Sequence, residues 1–245
     1  MKKLLLLLLI PNFIYAELVL EITQGSDNPY SLAVIDFNGP QKISKKINSI
    51  IKSDMKRTGE FVILDNSQLI SVPLNQEEIK YKDFKLLGID FIVLGSLISE
   101  SKFNLSVSYD IYDVRKEKKI RTSKVFGIPN KIRQLSHYIS DGIYEEITGL
   151  QGVASTKLLY VTEERALDRS LFQLVVADAD GANEQILLKS TEPIISPSWS
   201  PDSKKVAYVS FETGMAKVFI QDLASGKREI CLLYTSDAAD DTPCV

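Results

Sequence analysis

The feature that most constrains this chain is a run of strands and turns that occurs twice. Lys157-Leu-Leu-Tyr-Val-Thr162 is matched in residue type by Lys205-Val-Ala-Tyr-Val-Ser210, 48 positions on, and Leu174-Val-Val-Ala-Asp178 by Val218-Phe-Ile-Gln-Asp222, 44 positions on. The difference in spacing falls between strands, where insertions are tolerated. Pro201 and Asp202 suit the central positions of a β-turn, because proline presets φ and aspartate hydrogen-bonds its own backbone. Val206, Tyr208 and Ser210 then alternate with Ala207 and Val209, a short run apolar on both sides that reads as a strand buried on both faces. Turn, strand, turn, strand at a period near 44 is the layout of β-propeller blades. Trp199, Pro201 and Asp202 are the structural residues of that blade motif.

Upstream of the repeat the pattern changes. Ser31 to Phe37 reads as a strand, and Ile43, Ile47, Ile50, Ile51 and Met55 lie at helical spacing before Gly59. Phe61 to Leu64 is a short strand, Gln76 to Leu87 a second helix closed by Gly88, and Phe91 to Leu94 a strand. Phe103 to Val114 and Ile120 to Gly127 form a hairpin around a solvated tip, Arg115 to Lys119. Asn130 is positioned to cap a last helix with its inner stripe at Ile132, Leu135, Ile139, Ile143 and Ile147, ended by Gly149. The fold class is therefore an α/β N-terminal domain followed by a truncated all-β propeller, with about two blades present.

The first residues are read as a targeting device: Lys2 and Lys3, an apolar run from Leu4 to Ile10, and Ala16 for cleavage. That run is shorter than the ~20 residues a membrane-spanning helix requires. The divisions are 1–16 signal peptide, 17–30 extended partner-binding segment, 31–149 α/β domain, 150–156 linker, 157–230 incomplete propeller, and 231–245 a non-native tail. In the extended segment Leu18, Leu20 and Ile22 face one way and Val19, Glu21 and Thr23 the other. Such a segment either packs on its own sheet or adds a strand to a partner's edge.

At 245 residues and a formal net charge of −3 the chain has no global attraction for nucleic acid. One histidine and two cysteines leave little material for a metal site, and no nucleophile elbow or phosphate loop is present. No cofactor, metal or catalytic residue is expected. His137 shares a helix face with Arg133, Ser140 and Asp141, which reads as solvent-exposed. Asp178-Ala-Asp-Gly181 has the opening of a calcium loop without its downstream glutamate, so a β-turn is expected.

These residues together resemble the TolB family of the Tol-Pal system. The resemblance is carried by Leu20-Glu-Ile-Thr-Gln-Gly25, Ile147-Thr-Gly-Leu-Gln-Gly152, Leu174 to Gly181, Ser190 to Asp202, Val206 to Glu212 and Val218 to Gly226. It implies a propeller of six blades, about two of which are present, in a non-enzymatic periplasmic scaffold, exported and monomeric. It also implies a TolA-like inner-membrane partner at Glu17, Leu18, Val19, Leu20, Glu21, Ile22, Thr23, Gln24, Gly25 and Ser26, and a Pal-like lipoprotein at the propeller. Ser203 departs from the glycine usual after Pro-Asp, and because serine at positive φ costs about 1 kcal/mol the turn is expected to differ locally. From Cys231 onward the text resembles a translated sequencing adaptor, so truncation of the gene is expected there. The enzyme alternative is the propeller portion of a truncated exported serine peptidase. A sugar-binding propeller is the third reading that residues 157–229 alone leave open.

Overall fold

The computed structural model describes residues 28–99, 104–166 and 169–233. The stretch read as a signal peptide, the expected partner-binding residues Glu17 to Ser26 and residues 234–245 lie outside the described residues.

The first unit is a five-stranded sheet in the order β2-β1-β3-β4-β5. Its strands are β1 (Tyr30–Val34), β2 (Phe61–Leu64), β3 (Phe91–Ser99), β4 (Leu105–Asp113) and β5 (Lys118–Gly127). β1 runs parallel to both β2 and β3, while β3, β4 and β5 are antiparallel neighbours. A central strand flanked by parallel neighbours must be apolar on both faces, and Leu32, Ala33, Val34 and Ile35 are all buried. Leu32 and Val34 point to one cluster, with Ile47, Ile51, Met55, Leu135, Ile139 and Ile143; Ala33 and Ile35 point to the other, with Phe84, Ile89 and Tyr112. Each such side chain contributes about 1.5–3 kcal/mol on full burial.

The first cluster is closed by α1 (Gln41–Arg57) and α3 (Ile132–Thr148), which pack on the same side of the sheet. α1 also satisfies the end of β1: Ser44 Oγ donates to the Phe37 carbonyl, and Asn48 Nδ2 to that of Ile35 at 3.1 Å. Gly59 at φ 72° follows the end of α1, and Gly149 at φ 74° terminates α3. The second cluster is covered by α2 (Tyr81–Leu86) and the loop before it.

Two local expectations are corrected. The helix expected over Gln76 to Leu87 is a 3₁₀ turn, Gln76–Glu78, and a separate α2. The Asn75 side chain accepts from the Glu78 N–H and closes that first turn, and the backbone at Ile79 has ψ 108°, which is not helical. Asn130 does not cap α3; it sits inside a 3₁₀ turn, Pro129–Lys131, that leads into the helix with no side-chain cap. The Arg115 to Lys119 tip is exposed, as expected, and carries ion pairs from Arg115 to Asp90 at 2.6 Å, Lys116 to Asp113 at 3.0 Å and Glu117 to Lys85 at 2.5 Å.

The second unit has two sheets. β6 (Lys157–Arg165), β7 (Ser170–Asp178) and β8 (Gln185–Ser190) form a three-stranded antiparallel sheet. β9 (Ile194–Trp199), β10 (Lys205–Ser210), β11 (Lys217–Asp222) and β12 (Arg228–Leu233) form a four-stranded one in the order β12-β11-β10-β9. The two repeats are therefore β6-β7 and β10-β11. β12 takes up residues 231–233 of the segment set apart on sequence. Leu174, Ile194, Val206, Tyr208 and Phe219 form the core between the sheets, with Trp199 packed against it. β10 is corrected on one point: Val206, Tyr208 and Ser210 are buried, but Ala207 and Val209 are only half-buried. A strand in a blade needs cover on both faces, and here one face has it.

Gly95 in β3 is a position where the first core has no room for a side chain. A Cβ there meets the Phe37 ring at 2.5 Å. Gly95→Ala is expected to destabilise the sheet by about 1–3 kcal/mol through overpacking. A urea titration followed by far-UV circular dichroism checks this, and an unchanged midpoint contradicts it.

Candidate functional site

The residues that link the two units form a buried polar cluster. Asp54 lies in α1 within the apolar stripe of Ile50, Ile51 and Met55, and is 2 % exposed. A carboxylate removed from water that far must be paired or hydrogen-bonded. His137 Nδ1 is 2.7 Å from Asp54 Oδ2, Ser140 Oγ donates to the same oxygen at 2.7 Å, and Arg57 Nη2 reaches Oδ1 at 3.0 Å. His137 and Ser140 are nearly one turn apart on α3, so both face α1.

One turn earlier on α3, Arg133 points to the turn after β7. Its Nη2 donates to Asp180 Oδ2, and its Nε lies 3.9 Å from Asp178 Oδ2. Lys157, at the start of β6, pairs with Asp178 Oδ1. Asp178 to Gly181 is the β-turn expected: the Gly181 N–H donates to the Asp178 carbonyl at 2.8 Å, with Gly181 at φ 79°. What the sequence did not indicate is that this turn presses its carboxylates against α3. His137 Nε2 lies 3.6 Å from Asp180 Oδ2.

His137 is therefore corrected from exposed to buried, at 2 % exposure. The polar face of α3 was read as a solvated one, but it is covered by the second half of α1 and by the first blade's turn. A signal was available: a lone carboxylate, Asp54, inside an apolar helical stripe calls for polar partners on the facing helix.

Two further contacts fix the joint. Asp141 accepts from the Ala154 and Ser155 N–H groups at 2.6 and 3.0 Å, so the 150–156 segment is clasped to α3. A Cβ at Gly152 would meet the Asp141 Cα at 2.5 Å. Beside the joint lies a cleft of about 440 Å³ lined largely by apolar groups, including Met55, Tyr144, Val153 and Leu158.

Burial pushes the Asp180 carboxyl up, but the Ala182 N–H, Arg133 and His137 together hold it below the usual carboxylate range. A depressed folded pKa contributes stability that is present above the unfolded value of about 3.9 and is lost as pH falls through the folded one. The joint therefore weakens in acid. Among the described residues, Asp54, His137 and Asp180 are the set with donor atoms close enough to share a metal, within 4.8 Å. Asp54 Oδ1 and Oδ2 and both Asp180 oxygens already accept from protein donors. The set reads as a charge network rather than a coordination site.

The blade motif is the other candidate. Ser203 N–H donates to the Ser200 carbonyl at 2.9 Å, which puts Pro201 and Asp202 at the centre of the turn. Asp202 accepts from Ser200 Oγ at 2.7 Å and from the Lys204 N–H at 3.1 Å. Ser203 itself is at φ 56°. The turn keeps the left-handed geometry and the serine carries the strain, contrary to the local change expected. Trp199 pairs with Val206 across β9 and β10 and packs on the inter-sheet core. A second left-handed residue, Ser196 at φ 52°, marks the bulge where β9 and β10 change register.

An α/β domain locked through a buried charge network to successive β-blades defines a two-domain propeller protein. The family model described as the TolB amino-terminal domain matches residues 18–120, and that described as the TolB beta propeller domain matches residues 144–236. The chain is 39% identical over 215 residues to the Tol-Pal system protein TolB of Alcanivorax borkumensis, covering 87% of this chain and 49% of that protein. It is 37% identical over 213 residues to that of Pseudomonas aeruginosa, covering 86% and 49%. The crystal structure of TolB from Acinetobacter baumannii matches with a TM-score of 0.78 at 32% identity, covering 86% of this chain and 51% of that one. The chain belongs to the TolB family. It spans about half the length of the curated relatives it matches.

Ser203→Gly is expected to stabilise the second blade by about 1 kcal/mol, because glycine occupies positive φ without the side-chain penalty. Differential scanning calorimetry checks this, and a lowered transition temperature contradicts it.

Proposed function

We propose that this chain is a non-enzymatic periplasmic scaffold of the Tol-Pal system, linking a TolA-like inner-membrane protein to a Pal-like lipoprotein. The observation that carries this reading is that both of its units match the TolB family, the amino-terminal domain as well as the propeller. That also weighs against the truncated serine peptidase, which is not expected to carry this α/β unit ahead of its blades. The cluster at the joint supports a binding role over a catalytic one: His137 is paired to a buried carboxylate and faces a second one, and the buried Ser140 hydroxyl donates to Asp54 rather than to the imidazole. Among the described residues no helix is long and apolar enough to cross a membrane.

In this reading Glu17 to Ser26 is the TolA-type contact. Its backbone supplies strand pairing, and alternate side chains Leu18, Leu20 and Ile22 supply specificity. The propeller supplies the Pal-type contact, and the complex is assembled by a monomer without cofactors. The role served is outer-membrane integrity and constriction at division.

Leu20→Asp places a charge in the apolar row of that segment. It is expected to weaken binding of the periplasmic domain of a TolA-like protein at least tenfold, since burying an unpaired carboxylate costs several kcal/mol. The far-UV circular dichroism should stay unchanged. Isothermal titration calorimetry decides it, and equal affinity for both chains overturns the assignment of this segment.

A further inference from the structure

His137 is the only histidine in the chain, and it lies between carboxylates of two different units. On its Nδ1 side is Asp54 Oδ2 of α1 at 2.7 Å. On its Nε2 side is Asp180 Oδ2 of the first blade's turn at 3.6 Å, and Nε2 is buried with no hydrogen-bond partner. A neutral imidazole carries one N–H and one lone pair. With Nδ1 donating to Asp54, the neutral ring turns its lone pair towards the Asp180 carboxylate, two electron-rich atoms facing each other out of water. Protonation replaces that lone pair with an N–H aimed at Asp180.

We propose that His137 is a protonation-gated latch between the α/β domain and the first blade. The imidazolium bridges Asp54 and Asp180 and ties α1, α3 and the β7–β8 turn into one unit. The neutral ring holds Asp54 alone and leaves Asp180 to Arg133.

Charged groups face the ring from every element packed against it. From α1 the ring meets Asp54, whose other oxygen carries Arg57; from α3, Ser140 and Arg133; from the blade's turn, Asp180 and, behind it, Asp178 with Lys157. Formally Arg57, Arg133 and Lys157 balance the three carboxylates. The side chains of Arg57 and Lys157 are 38% and 51% exposed, however, so solvent screens them. Arg133 is 32% exposed, whereas the three carboxylates are at most 10% exposed. The latch is closed while the ring is protonated and Asp180 is ionised, and it opens when the ring loses its proton. Its acid limit is set by protonation of Asp180, which Arg133 and the Ala182 N–H delay to below the usual carboxylate range.

The joint itself offers the readout, because the Ala179 N–H donates to the Thr156 carbonyl and the Asp178 N–H to that of Ala182. Amide hydrogen exchange is measured on the full 245-residue chain between about pH 5 and 8, the range in which histidine titrates, and corrected for the intrinsic pH dependence. Nitrogen-15 NMR of the single imidazole reports its charge in the same samples. Protection at residues 178–183 and 150–156 is expected to be roughly tenfold greater with the ring protonated, the scale of one hydrogen bond to a charged group. Asp180→Asn and His137→Gln should both flatten the profile, and Glu229→Gln on exposed β12 should leave it intact. Two variants on opposite sides of the contact guard against one that fails to fold. A profile that survives in Asp180→Asn, or a ring that changes charge without changing protection, overturns the latch. So does a response to zinc chloride reversed by chelator at fixed pH, which would instead make the cluster a metal site.

Discussion

Asp54 is the constraint on which the arrangement of the two units depends. Its carboxylate sits in the middle of a helix stripe that otherwise buries Ile47, Ile50, Ile51 and Met55. Breaking a buried ion pair costs about 3–5 kcal/mol, so the partners of Asp54 are fixed once it is buried. Arg57 comes from α1 itself; the other two come from α3, and this sets the rotation of α3 about its own axis: Leu135, Ile139 and Ile143 to the sheet, His137 and Ser140 to Asp54. The same rotation aims Arg133 at the blade's turn, one helical turn away. A single carboxylate on the buried face of α1 thus determines where the next domain docks. Replacing such a group with an apolar one is often neutral for stability; what it supplies here is a unique orientation between domains.

The blades rest on a different principle. Their strands are held by sheet-on-sheet packing of Leu174, Ile194, Val206, Tyr208 and Phe219, with turns stabilised by Asp178, Asp202 and Asp222 accepting from nearby backbone or side-chain donors. Of these three turn aspartates, Asp178 alone is also tied to α3. The first blade is thereby specialised: its turn repeats the chemistry of Asp222 in the second blade and adds a second carboxylate, Asp180, which faces the α/β domain. Repetition builds the sheet, and one departure from repetition attaches it.

Much of this was legible in the sequence. The 3.6-residue spacing of Ile43 to Met55 and of Ile132 to Ile147 located both long helices, and the matched runs at Lys157 and Lys205 located the equivalent strands. These signals survive because burial of one face imposes a period that composition cannot imitate. The break between Gln76–Glu78 and Tyr81–Leu86 was not legible, since Asn75 diverts the backbone through a side-chain hydrogen bond that leaves the hydrophobic pattern intact. Ser203 misleads for the opposite reason: a residue preference of about 1 kcal/mol is outweighed by the turn's geometry, which four strand pairs between β9 and β10 hold in place. The joint was least legible. Polar residues on α3 signal solvent when a helix is considered alone, and the element covering them lies more than forty residues further along, at Asp180.

The central claim is that the α/β domain and the first blade share one buried network running from Asp54 through His137 to Asp180. A double-mutant cycle on Asp54→Asn and Asp180→Asn tests it most directly, with unfolding free energies measured for the parent, each single variant and the double. Residues in one network are expected to show a coupling of about 0.5–3 kcal/mol. Additivity within about 0.3–0.5 kcal/mol, the behaviour of independent sites, would contradict the account and leave two domains that merely abut.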